Sequence, residues 1–520
     1  MVIRRVLAPR IDFGALRREL DLPTAFPPAA QDEAERATSV PPPDLDRTDL
    51  PLVTVDPPTS RDLDQAVCLA RRSGGGYRVH YAIADVVPFV RPGGPLEAET
   101  WRRGQTIYLP DGKVPLHPPV LSEDAASLLP DVVRPAVLWT IDLDADATIT
   151  DVDVRRARVR SRAKLDYAGV QADVDAGTAP EPIALLPEIG ALLVERGLDR
   201  GAVNLPLPEQ EIEPHGDGWR LVLRPPRLIE DYNAQISLLT GMAAAGIMLA
   251  GRIGLLRTMP APRAEAIERL RVAAAGLGVD WPAELAVGRM LAAVDPGDPR
   301  GAAFLDQAAE LMRGAGYTAF DGETPEDPGH GGVAAPYAHV TAPLRRLADR
   351  YATEVCLALH EGRPVPDWLR AALPKMPELM TSTDRVASAA DRGAIDLVEA
   401  VLLQDRVGEE FDAAVVDVDA PPKPPASAAG SGSAPAGSGS APAGSGSAAA
   451  GSGSAAAGSG SAPAGAGNAG RKVRRPGGRI AIDEPPVRAR CEGELPLGER
   501  IRVRLVAADP ATRKVLFERA

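Results

Sequence analysis

Apolar and polar positions change their period along the chain, and the changes mark its elements. From Leu52 the period is two. Residues 77–90 alternate and are rich in β-branched side chains, which predicts a strand. Residues 136–143 and 148–159 predict two more strands around Asp144-Ala-Asp146, and residues 96–104 read as a helix between them. From about residue 166 to 360 helical spacing dominates. Helices are predicted over 180–196, 261–277 and 302–314, with a short strand at 219–224. Residues 229–249 are long, apolar and Ala-rich, as a buried helix should be. A further helix is predicted to open at Thr341, with Thr341 as its cap and Pro343 in its first turn. Leu344, Leu347, Tyr351 and Val355 would share one face. Residues 379–400 form the last predicted helix, and residues 13–20 the one candidate helix before a Pro-rich tail.

After residue 405 the period returns to two, at 408–418 and again at 478–483, 499–506 and 514–517. Between these pieces run heptads of AGSGSAP and AGSGSAA, a linker composition with no apolar face to stack. Each strand-rich piece is too small to fold alone. They are therefore read as one small barrel of the OB type, with the repeat as a loop insertion at about 421–475. Loop closure costs only ~0.6 kcal/mol per doubling of length, so the insertion is tolerable. The expected fold is α+β: an extension over 1–50, a mixed sheet surrounded by helices over 51–400, and a small all-β barrel over 401–520. Such a barrel either binds nucleic acid or serves as a capping domain.

With 520 residues, two or three domains are expected. The net charge of −13 argues against a general nucleic-acid coat protein but leaves room for a locally basic channel. Cys68, Cys356 and Cys491 are far apart and form no CxxC pair, so neither a disulfide framework nor a zinc site is indicated. The N-terminus has no long apolar run and no 18-residue apolar stretch is expected elsewhere, which predicts a cytoplasmic protein without a membrane partner.

The candidate chemistry begins at Asp56-Pro-Pro-Thr-Ser-Arg-Asp62-Leu-Asp64-Gln65. Asp62 and Asp64 point to one face of an extended chain, and the two prolines bend Asp56 back towards them. Converging carboxylates raise one another's pKa unless a cation compensates, and hard oxygen ligands suit Mg²⁺ or Mn²⁺. A solvated acidic turn reads equally well from spacing alone. Arg345 or Arg346, near a helix N-terminus, is placed to grip a phosphate, although exposed arginines on a surface helix have the same pattern.

Several stretches together resemble the ribonuclease II / RNB exoribonuclease family. They are the acidic stretch from Asp56, Tyr81-Ala-Ile-Ala-Asp85, the long segment from Arg103 through Tyr108 to Ser127-Leu, and Lys164-Leu-Asp-Tyr167. Ile229-Glu230-Asp231 and His339-Val-Thr-Ala-Pro-Leu-Arg345-Arg346 complete the order. The resemblance implies hydrolytic 3′→5′ degradation of single-stranded RNA to nucleoside 5′-monophosphates, with Mg²⁺ or possible Mn²⁺ as cofactor, by a protein expected to be a monomer. It implies Asp64, Arg345 and Arg346 as catalytic residues, and Asp56, Asp62, Asp64 and Gln65 around the metal. Tyr108 and Tyr167 would contact RNA, Tyr167 by stacking, and Glu230 would cap the stacked bases.

Two departures stand out. The family motif usually ends in two acids, and here the second position is Gln65, which brings no charge; Asp85 is the candidate to compensate. Residues 1–50 are also too few for the cold-shock-type barrels that commonly precede the catalytic region, so this reads as a short form. The rival readings are a catalytically impaired RNA-binding protein on the same fold and a metal-dependent phosphatase.

Overall fold

The computed structural model describes residues 7–8, 11–216, 218–419 and 475–520. The repeat insertion therefore lies outside the described residues, apart from Arg475 at its end. Six strands form the central sheet, in the order Ile149–Arg160, Val133–Leu143, Tyr77–Ala84, Gln65–Arg71, Val53–Val55 and Ala163–Leu165. Neighbours are antiparallel except the last two, which run parallel. Tyr77–Ala84 is paired on both sides and buried at all but one position, which explains its largely apolar sequence. It ends before the predicted residue 90, where Val87–Phe89 forms a 3₁₀ turn around Pro88, a residue unable to donate to a ladder.

One sheet face packs Trp139, Ile141 and Tyr81 against Ile236, Leu239, Met248, Leu347 and Tyr351 from two helices, Leu228–Gly251 and Leu347–His360. The opposite face is covered by Ala30 and Ala34 of a helix Pro28–Ala37, with Phe89, Leu96 and Leu121. That helix was not anticipated in the Pro-rich tail; Pro28 starts it, as proline at a first helical position can. Strand Glu209–His215 and the pair Ile253–Thr258 with Gly316–Asp321 are also additions.

Leu228–Gly251 corrects the expectation that no long apolar stretch exists: by length and composition it could cross a membrane. In the fold its apolar residues are those that fill the core, including Ala243, Ala244 and Ala245. A second correction concerns the helix predicted from Thr341. It begins at Leu347, and residues 341–346 are a loop. Thr341 caps nothing; its hydroxyl bonds Ser237 at 2.8 Å.

Strands Glu410–Val418, Gly477–Ile482, Arg488–Glu492, Lys514–Arg519 and Arg500–Asp509 close into a barrel in that order, so the two strand-rich pieces are one domain. Its interior joins Phe411, Val415, Val503 and Phe517 to Val398 and Leu403 of the helix Met376–Leu403, which carries the barrel. All three cysteines are buried and free.

Candidate active site

The acidic loop is shaped by pinning at both ends. The Asp56 N–H donates to the Leu165 carbonyl at 3.0 Å, extending the parallel ladder by one residue. Lys164 then donates to the carbonyls of Pro58 and Ser60, both at 2.6 Å, and holds the proline turn. On the return leg the Leu63 N–H donates to Ser127 Oγ at 3.0 Å, and the Ser127 hydroxyl donates to the Arg61 carbonyl at 2.6 Å. Asp64 is thereby carried into the interior at the head of the strand Gln65–Arg71.

Asp64 is 5% exposed. Its Oδ1 accepts from the Leu344 N–H at 2.8 Å, and its Oδ2 lies 3.5 Å from Arg345 Nε. Burial pushes its pKa up to about 8, against the pull of Arg345 and the Leu344 bond. Burial likewise pushes Asp56 up to about 6, with the Thr54 hydroxyl, Arg345 and Lys164 opposing. Asp56 Oδ2 is buried without a hydrogen-bond partner. Asp62 differs: Lys113 Nζ lies 2.8 Å from its Oδ1, and the Tyr108 hydroxyl donates to its Oδ2 at 3.3 Å.

Among the described residues no group of three His, Cys, Asp or Glu is arranged to hold a metal ion. Two carboxylates nonetheless suit a hard divalent cation. Asp56 and Asp64 are buried acids with too little positive charge around them, and one of their oxygens has no partner. Asp62 is drawn aside to Lys113.

The structure treats the remaining candidates unequally. Gln65 does not offer an open ligand: its Oε1 accepts from the buried Tyr81 hydroxyl at 2.8 Å, and its Nε2 donates to the Thr341 carbonyl at 2.6 Å. Asp85 cannot compensate for it, because its carboxylate is 2.7 Å from Arg156 Nε and accepts from the Val87 N–H at 3.2 Å. Arg345 is half-exposed beside Asp64. Arg346 is committed instead to the fully buried Asp349, through Nε and Nη2, both at 2.9 Å. Tyr108 is 51% exposed, beside Asp62. Tyr167 is half-buried, its hydroxyl accepts from Asn233 Nδ2 at 3.3 Å, and burial followed by the Asp56 charge raises its pKa. Glu230 is fixed at the start of Leu228–Gly251 by Arg224 Nη1, 2.8 Å from each of its oxygens, and by the Arg227 N–H at 3.3 Å.

The sequence reading assigned no role to Lys113, Tyr81, Ser127 or Asp349, although Tyr81 and Ser127 fall in the motifs that carry the resemblance. Lys113 and Ser127 lie inside the long segment after Arg103, where an unmatched cation facing an acidic loop was the available signal. Asp349 stands three residues after Arg346, the spacing of an ion pair on a helix.

Comparison with known proteins identifies both domains. Residues 45–359 match the RNB domain, and residues 471–520 match the RNase II-type exonuclease C-terminal S1 domain. The chain is 29% identical over 391 residues to the exosome complex exonuclease RRP44 homolog A of Arabidopsis thaliana, covering 70% of this chain and 41% of that one. It is 26% identical over 466 residues to ribonuclease R of Vibrio cholerae, covering 80% and 54%. The chain thus spans about half the length of these curated relatives. Among solved structures, the apo form of Mycoplasma genitalium RNase R matches with a TM-score of 0.77 at 17% identity, covering 98% of this chain and 77% of that one. That enzyme is also known in complex with single-stranded and with double-stranded RNA. Yeast Ssd1, described as a pseudonuclease, matches with a TM-score of 0.59 at 16% identity, over 73% of this chain and 49% of its own. By the extent of the domain match, the chain belongs to the RNB family, with an RNB domain followed by an RNase II-type S1 domain.

Proposed function

We propose that this chain hydrolyses single-stranded RNA from its 3′ end and releases nucleoside 5′-monophosphates. The observation that carries the reading is the uncompensated acid pair, Asp56 and Asp64, buried beside a half-exposed Arg345. Exonucleases among the relatives support it. Asp56 and Asp64 would hold Mg²⁺ or Mn²⁺, and Asp62 would join them on release from Lys113. When bound, such an ion supplies water activation and neutralises charge on the attacking and leaving oxygens. Arg345 is free to grip the scissile phosphate through its guanidinium fork. Arg346 acts at one remove, by fixing the loop that bears Arg345 through Asp349. Tyr108 and Tyr167 offer sequence-tolerant faces for bases, and Glu230 is held rigid where it can flank a base stacked on Tyr167.

The test uses 5′-labelled oligoadenylate, resolved to single nucleotides. Shortening one nucleotide at a time, with release of 5′-AMP and arrest by EDTA, is the expected outcome. Absence of shortening with either Mg²⁺ or Mn²⁺ refutes it. A second reading, an RNA-binding protein with impaired catalysis, is favoured by one observation: Gln65 is engaged by Tyr81 and Thr341 rather than facing the acids. That reading expects salt-sensitive RNA binding without product.

A further inference from the structure

Gln65 and Tyr81 are diagonal neighbours on one sheet face, because Gln65 pairs with Ile83 and Val67 pairs with Tyr81. Tyr81 is 1% exposed, so its hydroxyl needs an acceptor, and it finds Gln65 Oε1 at 2.8 Å. That turns the amide nitrogen to the Thr341 carbonyl, an acceptor, at 2.6 Å. Both hydrogen bonds agree on one orientation of the amide. Thr341 is tied further to Ser237 of the long helix, so one chain of bonds links two sheet strands, that helix and the 341–346 loop.

The same loop is also fixed along the rest of its length. The Ala342 N–H donates to Asp349 at 2.7 Å, the Leu344 N–H to Asp64 at 2.8 Å, and the Thr106 N–H to the Arg345 carbonyl at 2.9 Å. At the start of the loop it is Gln65 that holds the Thr341 carbonyl. A carboxylate there would set an acceptor against the Thr341 carbonyl and leave both short of a proton.

We propose that Gln65 is a positioning residue: with Tyr81 it forms a hydrogen-bonded strut that sets the 341–346 loop, and so aims Arg345 over Asp64, in place of ligating a metal. This rests on the proposed function only in taking Arg345 as a phosphate contact.

The experiment uses the full chain and three variants, Tyr81→Phe, Gln65→Asp and Arg345→Ala, with Tyr81→Phe also made in the Arg345→Ala background. Affinity for fluorescein-labelled oligoadenylate is measured in EDTA, and Mg²⁺ binding by calorimetry. Tyr81→Phe and Gln65→Asp should each weaken RNA binding about tenfold, the equivalent of one buried hydrogen bond, with no gain in Mg²⁺ affinity. In the Arg345→Ala background Tyr81→Phe should cause no further loss, because the strut acts through Arg345. Additive losses would overturn the proposal by making the pair a general structural contact. So would a gain of tenfold or more in Mg²⁺ affinity for Gln65→Asp with RNA binding intact. Neither measurement requires cleavage, so a chain without nuclease activity would fail the proposed function while the strut is still decided.

Discussion

On the outer face of the C-terminal barrel, Arg500, Arg502 and Arg504 stand at alternate positions of one strand, each about half-exposed. Arg500 pairs with Asp483; Arg502 reaches Glu410 at 3.5 Å and Asp412 at 3.3 Å; Arg504 reaches Glu410 at 3.1 Å. Every charge has an opposite in reach and stays in water, where such pairs contribute little to stability. The acid loop uses charge on other terms. Asp56 and Asp64 are carried below the surface with Arg345 beside Asp64, Lys164 acting on Asp56 and an Asp56 oxygen left without a hydrogen-bond partner. The barrel face is matched in charge; among the buried acids of the loop, one oxygen is not. Under the proposed function, this mismatch between burial and compensation is what distinguishes the acid loop from the solvated barrel face.

The largest expected effect is at the unmatched side. Asp64→Asn should reduce RNA hydrolysis on the order of 10³-fold or more, because metal-assisted catalysis is worth several kcal/mol. Its effect on folding should run the other way. The folded state raises Asp64 from the ordinary carboxylate value to about 8, so it binds that proton more tightly than the unfolded chain does. Stability is then fullest below the unfolded value and falls as pH rises through about 8, with Asp56 adding to the fall up to about 6. In EDTA, the thermal midpoint of Asp64→Asn relative to wild type should rise between pH 5 and pH 8. A constant difference across that range would mean that Asp64 is compensated after all.

Aromatic faces come next. Tyr108→Ala and Tyr167→Ala should each weaken single-stranded RNA binding by ~1–3 kcal/mol, the usual contribution of one stacked base. Fluorescence anisotropy with homopolymers should show similar losses for different bases, and a strong base preference would contradict simple stacking. The smallest effect belongs to the matched face. Arg502→Gln and Arg504→Gln should change stability by no more than about 0.5 kcal/mol and leave RNA affinity within twofold. A tenfold loss of RNA affinity would break the comparison, because those arginines would then leave their acids for phosphate.

Much of the scaffold was legible. The barrel came from two fragments, each too short to stand alone, and closure confirms that they belong together. The long apolar helix was read as buried, and its core residues bear that out. The loop at 341–346 was misread as helix, because Leu344, Leu347, Tyr351 and Val355 keep a helical period even though the first of them precedes it. Periodicity reports which face is apolar, but the hydrogen bonds of Ala342 and Leu344 to Asp349 and Asp64 settle the backbone, and Asp64 is 280 residues from Leu344 in sequence. The two arginines look alike in sequence and part only in the fold, where Asp349 takes Arg346 and leaves Arg345 to the site.

The sequence by itself determined most of the long elements, the pairing of the barrel fragments and the charged groups available to the site, because period, segment size and motif order are properties of the chain read locally. Only the tertiary structure decided which charges are buried, which are compensated and that Gln65 answers to Tyr81 and Thr341. Desolvation and hydrogen-bond partnership depend on segments as far apart as Asp64 and Leu344 meeting in the interior, and no local pattern encodes that meeting.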